Sequence, residues 1–268
     1  MAAPLRPLPR AYASFIRQLS RDRRLRASEA AFVVEGMRAC GDLIRSYPNQ
    51  IRSVVVSPAY LRQEGTAGRA DRALLDVVQY SCSDDLFAKL SDVEAPQGIL
   101  VVVHMPTWAQ ADGLGRPQLL GVYGERLQDP ANVGTIIRTA AGLGLNGVWL
   151  SKDSIDCYHP KVVRGTAGAI LAMPVFQGVA LSNLSEAGCS IYAAVVSAVD
   201  SVELTAVKGR APRSIIAVGN ESQGLDPTTV SAATCRFSIP LTNRVESLNV
   251  AASVAIAAYH FAGLPLDQ

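Results

Sequence analysis

The sequence predicts an α/β protein built in two parts. Short runs of β-branched and aliphatic residues alternate along the chain with segments of helical spacing, which indicates strands connected by helices. The runs are apolar throughout, as is typical of parallel strands that are covered on both faces. Residues 105–118 contain two prolines and two glycines and show no periodicity. This segment predicts a linker between a smaller domain at 1–104 and a larger domain at 119–268.

Each predicted element rests on its residue pattern. In the first domain the pattern predicts strands at 32–35, 51–57 and 98–103, and helices at 37–45 and 70–78. In the second domain it predicts strands at 119–123, 148–151, 191–196, 214–218 and 237–239, and helices at 132–143, 161–170 and 247–261. The last helix is apolar on nearly every face, so we expect it to be buried in the core or in an oligomer interface.

Composition narrows the class of protein. With 268 residues, 49% of them hydrophobic, the chain can bury a full core. The sequence shows no apolar run of the ~18 residues that a membrane span requires and no apolar secretory signal. Five scattered cysteines without a CxxC pair, and three histidines without ligand spacing, predict a cytoplasmic protein with reduced thiols and no metal site.

Positive charge is concentrated near the N-terminus. Residues 1–26 contain seven arginines and one acidic residue, although the net charge of the whole chain is only +2. Such a segment attracts polyanions such as RNA, and Arg17, Arg21, Arg23 and Arg24 are candidate phosphate contacts. A solvated helix face and an organelle transit peptide are the alternatives that charge alone leaves open.

Three glycines form a misleading pattern. Gly142, Gly144 and Gly147 have the GxGxxG spacing of a dinucleotide-binding loop, which requires a strand before the glycines and a helix after them. Here the predicted helix comes first and the strand follows, so we expect the glycines to end a helix and turn the chain. This order excludes a Rossmann-type dehydrogenase.

Three segments place polar residues beside the predicted strands of the second domain. The first, LQDPANVGTIIR at 127–138, turns into a helix that Asp129 or Asn132 can cap. The second, IIAVGNESQGL at 215–225, ends an apolar strand in a glycine-bounded loop, where parallel sheets bind ligands; it lacks the lysine of a P-loop. The third, FSIPLTNRVESLNVA at 237–251, joins a strand to the apolar C-terminal helix.

Together and in this order, the three segments resemble the motifs of the SpoU (TrmH) family of RNA 2′-O-ribose methyltransferases, within the SPOUT superfamily. DPANVGTIIRTA resembles the first motif, VGNESQGL the second and IPLTNRVESLNVAASVAIA the third, over roughly residues 119–263. FVVEG, with IRQLSRDRRLR before it, is similar over a shorter stretch to the substrate-recognition domain of many members. One departure lies in PKVVRGTAG, where Gly165 and Thr166 replace the family's commoner small residues.

The resemblance implies a trefoil knot in the second domain, a homodimer, S-adenosylmethionine as cofactor, and methylation of a ribose 2′-hydroxyl, with ribosomal RNA as the preferred substrate. It implies that Arg138 is the catalytic arginine. Arg138 acts either as a base or, because a guanidinium keeps its proton near neutral pH, as a group that fixes a phosphate and stabilises the developing alkoxide. Asn132 is expected to position Arg138 or the ribose, and Glu221 to orient Arg138 through a charge-assisted bond. Ser247 and Asn249 complete the expected catalytic set.

The resemblance also implies a cofactor pocket formed mainly by the loops of the second and third motifs. The expected cofactor residues are Val195, Val196, Gly219, Asn220, Ile239, Leu241, Ser247, Leu248 and Asn249. Arg164 is a further candidate contact for an RNA phosphate. Three alternatives stay open: methylation of transfer RNA, methylation of a base instead of a ribose, and a non-catalytic RNA-binding protein of the same fold.

Overall fold

The computed structural model describes residues 5–63, 77–109, 113–196, 200–242 and 245–266. The strands are β1 (Arg6–Pro7), β2 (Ala31–Glu35), β3 (Ile51–Val56), β4 (Val78–Ser81), β5 (Ile99–His104), β6 (Leu119–Gly124), β7 (Gly147–Leu150), β8 (Val175–Gln177), β9 (Ser190–Ala194), β10 (Val202–Glu203), β11 (Arg213–Val218) and β12 (Cys235–Ser238). The α-helices are α1 (Arg10–Arg21), α2 (Arg23–Glu29), α3 (Met37–Ser46), α4 (Pro58–Gln63), α5 (Asp84–Leu90), α6 (Pro130–Gly142), α7 (Pro160–Gly165), α8 (Leu181–Glu186), α9 (Pro227–Ala232) and α10 (Val250–Ala262).

The chain divides into two compact units. One comprises Met1–Thr107 with Tyr158–Leu171, and the other comprises Trp108–Cys157 with Ala172–Gln268. The break after Thr107 falls inside the segment that the sequence predicts as a linker. Residues 158–171 group with the first unit because α7 packs against β2, whereas the sequence predicted an uninterrupted second domain.

The first unit is built on a mixed sheet in the order β1-β4-β3-β5-β2. β1, β4 and β3 run parallel, whereas β5 runs antiparallel to both β3 and β2. A parallel sheet is therefore the wrong prediction for this unit. Ile99–Val103 of β5 are buried on both faces, and a run that is apolar throughout carries no information about strand direction.

One face of this mixed sheet is covered by α1 and α5. Ile16 and Leu19 of α1 pack with Phe87 of α5 against Val33 and Leu100. These apolar residues follow the three- and four-residue spacing of one helix face, which is what places α1 on the sheet.

The second unit is built on a seven-stranded sheet in the order β10-β12-β9-β11-β6-β7-β8. Every neighbouring pair in it is parallel, so the predicted parallel sheet is confirmed here. On one face Ile191 and Ile215 pack with Trp149 and Phe176. On the other face α10 packs against β6, β11 and α6. Both faces are therefore covered, as continuous apolar strands require.

Capping side chains fix the start of the two long helices in this unit. The Asp129 side chain accepts the N–H of Ala131 at 2.8 Å, so α6 begins at Pro130. The Asn249 side chain accepts the N–H groups of Ala251 and Ala252, so α10 begins at Val250. The predicted start of that helix at residue 247 was too early, because Asn249 takes the capping position with non-helical backbone angles.

Some of the other predicted elements agree with the structure and some differ from it. α6 ends at Gly142 and β7 begins at Gly147, with Gly144 at φ +68° between them, so the helix-then-strand order of the three glycines is confirmed. The helix predicted at 161–170 ends at Gly165. Most of the helix predicted at 70–78 lies outside the described residues, and its last residue begins β4. Within the described ranges no helix is long and apolar enough to cross a membrane.

Candidate functional site

An open cleft of about 1090 Å³ lies in the second unit. Its walls come from the segments that follow β9, β11 and β12, and from the segment that leads into α10. Because these strands are parallel, their carboxyl ends meet at one edge of the sheet, which is where α/β proteins place their ligands.

The loop after β11, residues 219–225, is a tight turn that only glycine can close. A Cβ atom on Gly219 would lie 2.1 Å from the carbonyl carbon of Gly224, and Gly224 itself has φ +70°. Asn220 and Gly224 exchange two backbone hydrogen bonds of 3.0 and 2.9 Å. The Asn220 side chain also accepts the N–H groups of Ser222 and Gln223. Residues 219–225 all line the cleft, and the glycines near the two ends of the turn leave their main-chain atoms uncovered by side chains.

A chain of hydrogen bonds joins the three motif segments. Glu221 accepts from the Nδ2 of Asn132 at 3.0 Å, and the Oδ1 of Asn132 accepts from the Nδ2 of Asn249 at 2.8 Å. Asn132 is buried at 5% exposure, so its amide needs both partners. We call Glu221, Asn132 and Asn249 the motif network.

Glu221 is held in its ionised form. Burial would raise the pKa of its carboxyl, but hydrogen bonds from Asn132 and from main-chain N–H groups, including those of Gln128 and Asp129, hold that pKa below its usual range. The carboxylate also lies at the N-terminal end of α6, where the helix dipole favours a negative charge.

Arg138 lies apart from the motif network. It is exposed on α6, and within the described ranges its guanidinium makes no hydrogen bond or ion pair. The predicted bond between Glu221 and Arg138 is absent, because the carboxylate is already occupied by Asn132 and the main chain of residues 128–129. The Asn132 amide likewise bonds to Glu221 and Asn249 rather than to Arg138.

All nine residues predicted to hold the cofactor line the cleft. They are Val195, Val196, Gly219, Asn220, Ile239, Leu241, Ser247, Leu248 and Asn249. Ser247 and Leu248 lie before α10 rather than inside it. That these residues bind the cofactor stays a prediction, as does a catalytic role for Ser247.

The described residues that line the cleft carry charge of one sign. Glu203, Glu221 and Glu246 line it, and none of its described lining residues is a lysine, arginine or histidine. Apolar groups are exposed at its edge, including Val196 and Val245. The cleft therefore favours a cationic ligand that has an apolar surface.

The predicted RNA contacts lie in the first unit. Arg17, Arg21, Arg23 and Arg24 are exposed on α1 and α2. Arg26, in the same basic stretch, is only 2% exposed and donates to the carbonyl of Leu19 at 2.8 Å. Its role is therefore to stabilise the fold rather than to contact RNA.

Arg164, on α7, is exposed but lies beside acidic side chains. It lines a small cavity with Glu35 and Asp92. Burial raises the pKa of the Glu35 carboxyl, and the nearby Arg164 charge partly opposes this rise. These carboxylates reduce the positive potential that Arg164 offers to a phosphate.

Two residues next to the site were missed in the sequence. Glu125 accepts from the N–H of Asp226 at 2.8 Å and from the hydroxyl of Thr229 at 2.9 Å. Arg126 has φ +54°, and its guanidinium reaches the carbonyl of Gly224. Two charged residues shortly after the predicted strand at 119–123 were a visible signal in the sequence, whereas the left-handed backbone of Arg126 had none.

Fold and site together define an α/β protein that builds a ligand cleft at the carboxyl edge of a parallel sheet and carries a second α/β unit. The cleft draws its polar groups from three separate loops, so it differs from the single glycine loop of a dinucleotide-binding protein. The chain belongs to the SpoU rRNA Methylase family, whose family model matches residues 120–259. The family predicted from the three motifs is thus confirmed. A second family model, the MRM3-like substrate binding domain, matches residues 14–101.

Individual relatives agree with this assignment. The chain is 36% identical over 203 residues to a Synechocystis protein named as an uncharacterized tRNA/rRNA methyltransferase, covering 74% of this chain and 72% of the relative. It is 33% identical over 195 residues to a Bacillus subtilis 23S rRNA guanosine 2′-O-methyltransferase, covering 69% and 72%.

Solved structures share the fold along nearly the whole chain. A TrmH-family protein from Porphyromonas gingivalis matches with a TM-score of 0.77 and 28% identity, covering 96% of this chain and 98% of that one. An AdoMet-bound rRNA methyltransferase from Sinorhizobium meliloti matches with a TM-score of 0.78 and 21% identity, covering 97% and 95%. At that identity the second match supports the fold alone.

Proposed function

We propose that this protein transfers a methyl group from S-adenosylmethionine to a ribose 2′-hydroxyl of ribosomal RNA. The observation that carries the proposal is the motif network beside the cleft, which joins all three motif segments of the family. The names of two relatives support the substrate. The Bacillus subtilis relative is named for 2′-O-methylation of a guanosine in 23S rRNA, and a Streptomyces viridochromogenes relative, 28% identical over 193 residues, for that of a uridine.

The residues of the cleft fit this cofactor. Among the described residues that line the cleft there are three carboxylates and no lysine, arginine or histidine, which suits a sulfonium and an ammonium group. Gly219 and Gly224 both line the cleft and carry no side chain, so their main-chain groups can bind the adenine. S-adenosylmethionine supplies an electrophilic methyl group, and the chain must align the ribose oxygen with it and help remove a proton.

Arg138 is the group we assign to the reacting ribose. Its exposed guanidinium has no partner within the described part of the chain, so it is available to a phosphate and to the developing alkoxide. Since a guanidinium keeps its proton near neutral pH, we assign it electrostatic stabilisation rather than base catalysis. Asn132 and Glu221 act on the loops of the site rather than on Arg138 itself.

RNA recognition is assigned to the first unit. The MRM3-like substrate binding domain model covers residues 14–101, and five exposed arginines lie on α1 and α2, including the four predicted phosphate contacts. Their positive charge attracts RNA phosphates irrespective of base sequence. Selection of one nucleotide must therefore come from other contacts.

We also propose a homodimer and a trefoil knot in the second unit. Ile256 and Tyr259 are 44% and 76% exposed on α10, an apolar surface that a second copy can cover. For the knot, the supporting feature is the path of the chain after β12, which pairs with β9, to α10, which packs on β6 and β11.

Cofactor binding and the modified nucleotide are tested separately. Calorimetry on the full chain should show binding of S-adenosylmethionine and S-adenosylhomocysteine, and Gly219→Ala, which forces a Cβ into the loop, should abolish it. The absence of heat with either ligand would overturn the proposal.

Mapping of 2′-O-methyl groups in total RNA, with and without the gene, should then reveal a site that is lost from ribosomal RNA. A lost site in transfer RNA would establish that substrate instead. A lost base methylation, found by nucleoside analysis, would refute ribose chemistry. Cofactor binding without any lost methylation would indicate a non-catalytic RNA-binding protein.

A further inference from the structure

Arg126 occupies a backbone conformation that its side chain makes unfavourable. It lies between β6 and the start of α6 with φ +54°, in the left-handed region that glycine and asparagine tolerate best. Its N–H is fixed by the hydroxyl of Ser151 at 2.8 Å. A strained residue persists only where the surrounding structure holds it, and such residues cluster at functional sites.

The side chain and the carbonyl of Arg126 both bind the loop at residues 219–225. One terminal nitrogen donates to the carbonyl of Gly224 at 3.4 Å, and the other lies 3.8 Å from the Asp226 carboxylate. Its own carbonyl accepts from the Nδ2 of Asn220 at 2.9 Å. The Nε atom is buried and, among the described residues, has no partner, so the inner part of the side chain lies against the protein, although the side chain as a whole is 32% exposed. Both ends of the loop are thus held by one residue.

The ends of the loop need support from outside, because the bonds of the Asn220 side chain to Ser222 and Gln223, and those of Glu221, fix mainly its tip. Glu221, Ser222 and Gln223 are exposed, and the glycines at its ends permit other backbone conformations. We propose that Arg126 is a positioning residue that holds loop 219–225 in the shape that receives the cofactor. This inference rests on the proposed function, since it concerns the same cleft.

The test compares variants that tolerate the left-handed backbone but lack the guanidinium. Arg126→Gly and Arg126→Asn should fold with unchanged or higher thermal stability, because strain is relieved. Both should bind S-adenosylmethionine and S-adenosylhomocysteine roughly 3- to 10-fold more weakly in calorimetry, the size expected from the loss of one hydrogen bond of ordinary net strength. When methylation of the RNA substrate is measured at steady state, the KM for S-adenosylmethionine should rise while kcat changes little. Arg126→Lys keeps the charge but loses the planar guanidinium, so its cofactor affinity should lie between those of wild type and Arg126→Gly.

Ala30→Gly is the matched control for the backbone. Ala30 has φ +45° in the first unit, so this variant relieves a similar strain far along the chain from the loop, and its cofactor affinity should equal that of wild type. Equal affinities of wild type and Arg126→Gly would overturn the assignment of Arg126 and leave the proposed function standing. Failure of the wild type to bind either ligand would overturn both.

Discussion

The guanidinium of Arg138 is exposed on α6, the helix that also carries Asn132 of the motif network. Arg138 is not among the residues that line the cleft. We therefore expect Arg138 to act on the chemical step and on RNA positioning rather than on cofactor binding. Arg138→Ala should therefore lower the single-turnover methylation rate by on the order of a hundredfold or more, with cofactor affinity nearly unchanged in calorimetry. Arg138→Lys should rescue poorly because lysine lacks the planar fork.

Arg116→Ala is the matched control for Arg138. Arg116 is also exposed in the second unit, but it lies before β6, at the amino edge of the sheet. Its removal takes away the same charge and should leave turnover near normal. Near-normal turnover in Arg138→Ala would contradict the assigned role.

Glu221 links the stability of the site to pH. Its folded-state pKa is lowered, since hydrogen bonds from Asn132 and the main chain outweigh the effect of burial. A lowered pKa means that the stabilisation is complete above the unfolded-state pKa, which includes neutral pH, and is lost as the pH falls through the folded-state pKa. Glu221→Gln should be less stable than wild type at neutral pH, and this difference should shrink on acidification. Urea unfolding of both proteins across this range measures it; a difference that does not depend on pH would refute the ionic role.

On α1 and α2, Arg21, Arg23 and Arg24 are exposed, whereas Arg26 is buried. Replacing Arg21, Arg23 and Arg24 with alanine should weaken RNA binding and make its salt dependence shallower, by roughly 0.7 to 0.9 in logarithmic slope for each lost phosphate contact. Filter binding or anisotropy at several salt concentrations measures this slope. An unchanged slope would show that these helices do not contact the RNA.

Two controls separate RNA contact from other effects. Arg45→Ala and Arg62→Ala remove exposed arginines that are already paired with Asp42 and Asp84, so the salt slope should stay the same. Arg26→Ala should instead lower stability, because Arg26 is buried and bonded to the Leu19 carbonyl.

Much of this element arrangement could be predicted, because strands and long helices carry their own patterns. The residues predicted to hold the cofactor lie at one edge of the sheet because parallel strands bring their carboxyl ends together. The pattern could not give the direction of β5, which is buried on both faces, or the short helices such as α8 and α9. Partner choice was also hidden: Asn132 bonds to Glu221 and Asn249, residues about ninety and more than a hundred positions away, and such distances are set only by the folded chain.

At the level of the whole molecule, α10 exposes large apolar side chains that a monomer would leave in contact with water. Ala251, Val254, Ala258 and Phe261 are buried against the sheet, so the core already uses one side of the helix. Ile256 and Tyr259 lie on its other side, 44% and 76% exposed. Large aromatic and aliphatic groups together on a surface are typical of a subunit interface.

Light scattering at micromolar concentration should therefore report a dimer for the wild-type chain and a shift toward monomer for Ile256→Glu and Tyr259→Glu, because each introduces a charge that the interface would bury unpaired. Leu61→Glu is the control: Leu61 is 38% exposed on α4 of the first unit, so the same substitution there should leave the dimer intact. A wild-type monomer would contradict the dimer itself. A dimer that survives both α10 substitutions would place the interface elsewhere, since one unpaired carboxylate in a closely packed contact outweighs the apolar area that a single side chain contributes.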